Sequence, residues 1–195
     1  NYEEIEPWIQ WVTVHTGKTL AEHSIFRLSD AHQLEHSQIW EELSKHSIES
    51  AIIGSMNTLR RKAKGGVFIP DPWAQSNETY PDELKPLWQF LAAKVQQHAT
   101  STLSIKDLLE AFRCCRKIGL PYSLYIKIIR QLFSQKLNSK TRWKLAGIFD
   151  VFLGEIFKSI LRTTNFGFYT LFLNAIAHYQ HHYWRAFDIS HFDSS

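Results

Sequence analysis

Apolar residues recur at two different spacings along this chain, and the predicted structure changes where the spacing changes. In Ile39-Trp40-Glu41-Glu42-Leu43 they fall at helical spacing, with Ser37 placed as an N-cap. Ser50-Ala51-Ile52-Ile53-Gly54-Ser55 follows as a short apolar run ending at a glycine. A helix leading into such a run predicts one step of an α/β fold, with the run as a buried parallel strand. Gly65-Gly66 and Pro70-Asp71-Pro72 then predict loop.

From residue 83 to 164 the helical period takes over. Ser104-Ile105-Lys106-Asp107 has the form of a capping box. After it Ile105, Leu108, Leu109, Phe112 and Cys115 share a predicted helix face. Gly119-Leu120-Pro121 stops that helix and lets another begin at the proline. In this second helix Tyr125, Ile128, Ile129, Leu132 and Phe133 hold the spacing. Asn138-Ser139 can cap a third, in which Trp143, Leu145, Ile148, Phe149, Phe152, Ile156 and Ile160 recur. Residues 166–174, Phe-Gly-Phe-Tyr-Thr-Leu-Phe-Leu-Asn, return to a strand signal and predict a central strand buried on both faces. The expected fold class is therefore α/β: one partial domain over 1–195 with a mostly parallel sheet and a helical insertion at 83–164. Residues 50–55 and 166–174 are expected to be neighbours in that sheet.

Composition agrees with a folded domain. Of the 195 residues 44% are hydrophobic and 14% aromatic, which excludes a disordered chain. The formal net charge of +3 is too small to imply a nucleic-acid partner. The charge is unevenly spread, however. Residues 101–165 hold twelve Lys and Arg against four Asp and Glu, so this stretch is strongly basic and the rest is net acidic. That asymmetry could attract phosphates, or it could simply be the solvated outer faces of helices. The two cysteines, Cys114 and Cys115, are adjacent, a geometry that disfavours a bridge. They supply neither a disulfide framework nor a CxxC metal site, and a reducing, cytoplasmic compartment is expected. The most apolar stretch, 148–160, is interrupted by charges and too short to span a bilayer, and the N-terminus has no apolar signal region. No membrane partner is expected.

Two segments carry candidate chemistry. Asn174-Ala175-Ile176-Ala177-His178-Tyr179-Gln180-His181-His182-Tyr183-Trp184 follows a predicted buried strand, where open α/β sheets bind ligands. His178 shares a helix face with His181 or His182, and imidazoles without sulfur suit Zn or Mn. The same spacing also describes a packed helix with hydrogen-bonded ring tips. Near the start, Thr13, His15, Thr16, Gly17, Lys18 and His23 form a second group. Thr16-Gly17-Lys18 lacks the upstream glycine of a phosphate loop. Thr13 and Thr16 are the candidate hydroxyls, and by chemistry alone they are hydroxyls on a turn.

Several segments together resemble a known family. Thr16-Gly17-Lys18 with His23-Ser24-Ile25-Phe26 is similar to the threonine-glycine and histidine-glycine-isoleucine block that follows the nucleophile in type I phosphodiesterases. Gln38–Leu43 resembles the next helix of that family, Ala51–Gly54 the following strand, and Phe68–Trp73 its proline-rich loop. Ala177–Trp184 resembles the family's aspartate-histidine-x-glutamine-histidine-x-aromatic-tryptophan block. The chain thus resembles a type I phosphodiesterase or nucleotide pyrophosphatase of the alkaline-phosphatase superfamily over residues 5–75 and 166–188. The resemblance implies a metal-dependent hydrolase acting on a phosphorylated small molecule or phosphodiester, with two divalent ions beside a serine or threonine nucleophile. It implies His181 as a metal ligand, with His178 and Asn174 as neighbouring candidates. The ligand aspartate is replaced by Ala177, which cannot coordinate. The nucleophile position falls near Pro7, and residues 1–7 contain no serine or threonine. The family's remaining acids and histidines are expected before residue 1 and after residue 195. The chain alone is then expected to be inactive. The alternative is a non-catalytic member that binds an anionic ligand or a protein partner through the basic helical block.

Overall fold

A computed structural model describes residues 6–28, 30–76, 78–95, 105–137 and 144–187. Three strands form one sheet: β1 (Ser50–Ile53), β2 (Val67–Ile69) and β3 (Phe168–Leu171). The order is β2-β1-β3, and both pairings are parallel. Ile52 lies beside Phe68 on one side and Thr170 on the other. The expected pairing of the 50–55 and 166–174 segments is therefore present, although more than a hundred residues separate them. Two expectations change. The segment at 67–69, read as loop, is a strand, because three residues are too few to show a period. The strand at 168–171 is half-buried at the sheet's edge, and β1 takes the central position among the described residues.

Alternation along these short strands builds two layers. Ala51, Ile53 and Ile69 face one core; Ile52 and Phe68 face the other. The second face is covered by α3 (Ile39–Lys45), whose Trp40 is fully buried and donates Nε1–H to the Leu59 carbonyl at 2.7 Å. The cap of α3 is Gln38 and not Ser37. Gln38 and Glu41 form a reciprocal capping box, and the buried Gln38 amide also donates to Asn57 O and accepts from Leu59 N. A side chain one methylene longer than asparagine reaches both its helix and the loop beyond β1. Two further short helices, α1 (Pro7–Thr16) and α2 (Leu20–His23), precede it. Pro7 at the first turn and Gly17 at φ +68° set the limits of α1.

The first face is covered by α4 (Lys85–Val95), α5 (Ile105–Lys117), α6 (Tyr122–Leu137) and α7 (Lys144–Thr163). These helices and the strands share one apolar core, with Leu87, Leu91, Cys115, Leu124, Ile128, Phe152 and Ile156 inside it. Burying each such aliphatic side chain contributes about 1.5–3 kcal/mol. On α7 the buried positions Phe152, Ile156 and Ile160 are those the spacing predicts. On α5 and α6 they differ: Ala111, Cys114 and Cys115 are buried while Leu109 is half-exposed, and Leu124 and Ile128 are buried while Ile129 and Phe133 are exposed. Cys114 and Cys115 are free thiols. Ser104, the Asn138-Ser139 cap and Trp143 lie outside the described residues. The chain ends its described part in α8 (Ala175–Phe187), which packs on α7. No helix among the described residues is long and apolar enough to cross a membrane.

Candidate functional site

In a parallel sheet the loops leaving the strands' carboxyl ends converge, and this is where a site is expected. Here β1 runs into Gly54-Ser55-Met56-Asn57, β2 into Pro70-Asp71-Pro72, and β3 into Phe172-Leu173-Asn174. Gly54 has φ +68° and donates its N–H to Ile69 O at 2.8 Å, which turns the chain off the sheet. Ser55 and Thr170 share a hydrogen bond between hydroxyls at 3.3 Å. Asn57 donates Nδ2 to Trp8 O and to Arg27 O, both at 3.1 Å, and so ties α1 and the segment after α2 to the sheet edge.

Asp71 is the most unusual group at this edge. It is buried; its Oδ1 accepts from the Trp73 amide at 2.9 Å, and Oδ2 finds no hydrogen-bond partner among the described residues. Burial pushes the carboxyl up to about 6, against the backbone N–H groups of Trp73, Asn57 and Ala74, which favour the anion. In the sequence Asp71 reads only as a loop residue. A single acid flanked by prolines after an apolar run was the available signal.

The threonine and histidine group near the start resolves into structural roles. Thr16 donates its hydroxyl to Val12 O at 2.7 Å and accepts from Lys18 N at 3.1 Å, sealing the end of α1. Thr13 Oγ1 lies 3.2 Å from His23 Nε2. Nδ1 of the same ring accepts from Ile25 N–H at 3.0 Å. A neutral imidazole with a lone pair committed at Nδ1 carries its proton on Nε2, so His23 donates to Thr13. It offers Thr13 no base. Burial, and then the nearby His36, lower the His23 pKa and keep it neutral. His15 is 5% exposed and lies between Trp11 (ring centroids 5.5 Å apart) and Trp40 (5.0 Å). Its Nε2 has no hydrogen-bond partner among the described residues, and burial lowers its pKa to about 4. Trp11 in turn meets Phe172 edge-on at 5.3 Å, so α1 rests on the carboxyl end of β3.

The histidine-rich segment is helical and follows β3, as its spacing predicts. Asp150 of α7 fixes its start, accepting from Asn174 N at 3.1 Å and Ala175 N at 2.8 Å. Asn174 O accepts from His178 N at 2.9 Å, in the first turn of α8. Tyr179 OH accepts from Gly147 N at 2.9 Å and holds α8 to α7. His178 lies against Tyr179 with ring centroids 6.0 Å apart, and His181 is exposed. The side chain of His182 lies outside the described residues. No three His, Cys, Asp or Glu side chains gather as a metal ion would require among the described residues. Among the described residues, the side chains around Asn174, His178 and His181 do not make a ligand set for Zn or Mn. Comparison of the chain with protein-family models, with curated proteins and with solved structures finds no match.

Proposed function

We propose that this chain forms the parallel-sheet core of a hydrolase acting on phosphoric esters, of the type I phosphodiesterase kind, and that its own catalytic set is incomplete. The observation that carries this reading is the β1–β3 pairing. The segments that resemble the family at 51–54 and 166–188 lie far apart in sequence, and their strands run side by side and parallel. Divalent metal chemistry in such an enzyme would draw on groups that the described residues do not bring together, so no step is assigned to a metal here. Thr13 is held as an acceptor by His23, and Thr16 is held by α1. Neither is prepared as a nucleophile, because activation needs a base facing the hydroxyl.

The test is turnover of a nitrophenyl phosphodiester by the purified chain, with and without Zn²⁺ or Mn²⁺. No turnover is expected. Metal-dependent turnover lost in Thr13→Ala or Thr16→Ala would show that one of these hydroxyls is the nucleophile. A second reading, a non-catalytic member that binds an anionic partner through its helical block, is favoured by one feature. Helix α6 carries Lys127, Arg130 and Lys136 and no acidic residue.

A further inference from the structure

Helix α6 has two apolar faces. The inner one, with Leu124 and Ile128, belongs to the core. The outer one is a line of four large side chains spaced four, three and four residues apart: Tyr122 (73% exposed), Ile126 (57%), Ile129 (39%) and Phe133 (65%). A surface helix ordinarily turns a polar face outward, and a helix apolar on both sides has a second partner. At 1.5 Å per residue the line is about 16 Å long.

Charge selects that partner. Arg130 lies one turn from both Ile126 and Phe133, and Lys127 lies beside it; both are exposed. On the other border Tyr125 packs against Phe112, with ring centroids 5.2 Å apart. The apolar line is therefore edged on one border by cations, and α6 itself holds no Asp or Glu. A second copy could match the line antiparallel, Tyr122 to Phe133 and Ile126 to Ile129. That pairing would also set the Lys127 and Arg130 of both copies against each other with no acid of α6 between them. A flat anionic surface neutralises the same cations and accepts a ridge lying in its plane. Aromatic and branched aliphatic residues beside Lys and Arg are the composition of helices that lie in a lipid interface.

We propose that the outer face of α6 docks on an anionic bilayer surface. The contact is peripheral, since α6 does not span, and it departs from the sequence-based expectation of no membrane partner, which rested on the lack of a spanning stretch and of an apolar signal region. The proposal shares the basic helical block with the non-catalytic reading above, and its test reads no phosphoester chemistry, so either can fail without the other.

The test is flotation of the purified chain with vesicles of phosphatidylcholine alone and with about 30% phosphatidylglycerol, in low salt and in 0.5 M NaCl. Binding should appear with the anionic vesicles, be at least about tenfold weaker on neutral ones, and fall several-fold in high salt. Ile126→Glu with Ile129→Glu should abolish it, and so should Lys127→Glu with Arg130→Glu. All four positions are exposed, so the melting temperature should change little, and melting curves check this. Absence of wild-type binding to anionic vesicles overturns the proposal. Equal binding to neutral vesicles, or binding that survives both double variants, does the same. Self-association in sedimentation equilibrium that is lost in the Ile126/Ile129 variant, without vesicle binding, would assign the face to a second copy. Vesicle-independent binding of an acidic helical peptide with the same residue dependence would assign it to a protein partner.

Discussion

Two buried ionisable groups with opposite linkage make a sharp prediction about acid stability. His15 has its pKa lowered from 6.5 to about 4 by burial between Trp11 and Trp40. Between those values the unfolded chain binds more of a proton at this site than the native chain, so stability falls as pH falls. Asp71 has its pKa raised from 3.8 to about 6, also chiefly by burial. Between those values the native chain binds more, so stability rises as pH falls. A tenfold change in proton affinity is worth about 1.4 kcal/mol, which makes each effect about 3 kcal/mol over the window. In the wild type the two should nearly cancel between pH 6.5 and 4. Asp71→Asn removes the gain and should leave a loss of about 3 kcal/mol on acidification. His15→Phe keeps an aromatic ring between the tryptophans and removes the loss, so its stability should rise by about as much. Urea unfolding followed by tryptophan fluorescence at several pH values from 7.5 to 4 reads both. Exposed carboxylates such as Glu22 titrate alike in all three proteins and drop out of the differences. If the three profiles run parallel, separated only by constant offsets, neither group titrates as its burial requires and the reasoning fails.

Two further outcomes test the placement of α8. Asp150→Ala removes the acceptor for Asn174 N and Ala175 N and should lower stability by about 1–2 kcal/mol, with proteolysis within α8 rising in step; unchanged stability and protection would mean that Asp150 does not hold the helix start. Calorimetric titration of Zn²⁺ at pH 7 should give the same trace for wild type and His181→Ala, because His181 is exposed and joins no ligand group among the described residues; a binding heat lost in the variant would make His181 a ligand.

The parallel arrangement was legible where periods were long or runs unbroken. Ser50–Ile53 and Phe168–Leu171 are apolar enough to be recognised as strands, though only the first is buried, and helical spacing marks the intervening block. What spacing alone misassigned was which face of a helix is inward. On α6 the residues 125, 128, 129, 132 and 133 hold a helical period; Ile128 is in the core and Tyr125 packs against it, yet the core also takes Leu124 and leaves Ile129 and Phe133 exposed. A helix with apolar residues on both sides offers two stripes of similar merit, and only the position of α7 and the sheet decides between them. The same ambiguity, once decided, leaves the other stripe exposed, so the misreading of α6 and its exposed outer face have one cause.

The site was less legible because hydrogen-bond direction decides it and sequence carries none. Thr13, Thr16, His15 and His23 are near one another in sequence, and a list of residue types makes them candidate nucleophiles and bases. The Ile25 N–H on His23 Nδ1 fixes the tautomer and turns His23 into a donor toward Thr13. Elsewhere along the carboxyl edge the polar groups hold segments together. Asn57 binds the carbonyls of Trp8 and Arg27, Ser55 meets Thr170, Asp150 caps α8, and Thr16 closes α1. Each such bond contributes about 1 kcal/mol to holding the edge, and a hydroxyl or carboxylate so occupied must break it before it can act on a substrate. Asp71 Oδ2 and His15 Nε2 are the exceptions among these edge groups, and both are buried away from solvent. Chemistry at this edge therefore requires either that a ligand reach those two atoms or that other residues bring the reacting groups. The second condition is the simpler one for a chain whose Thr13 and Thr16 are already committed.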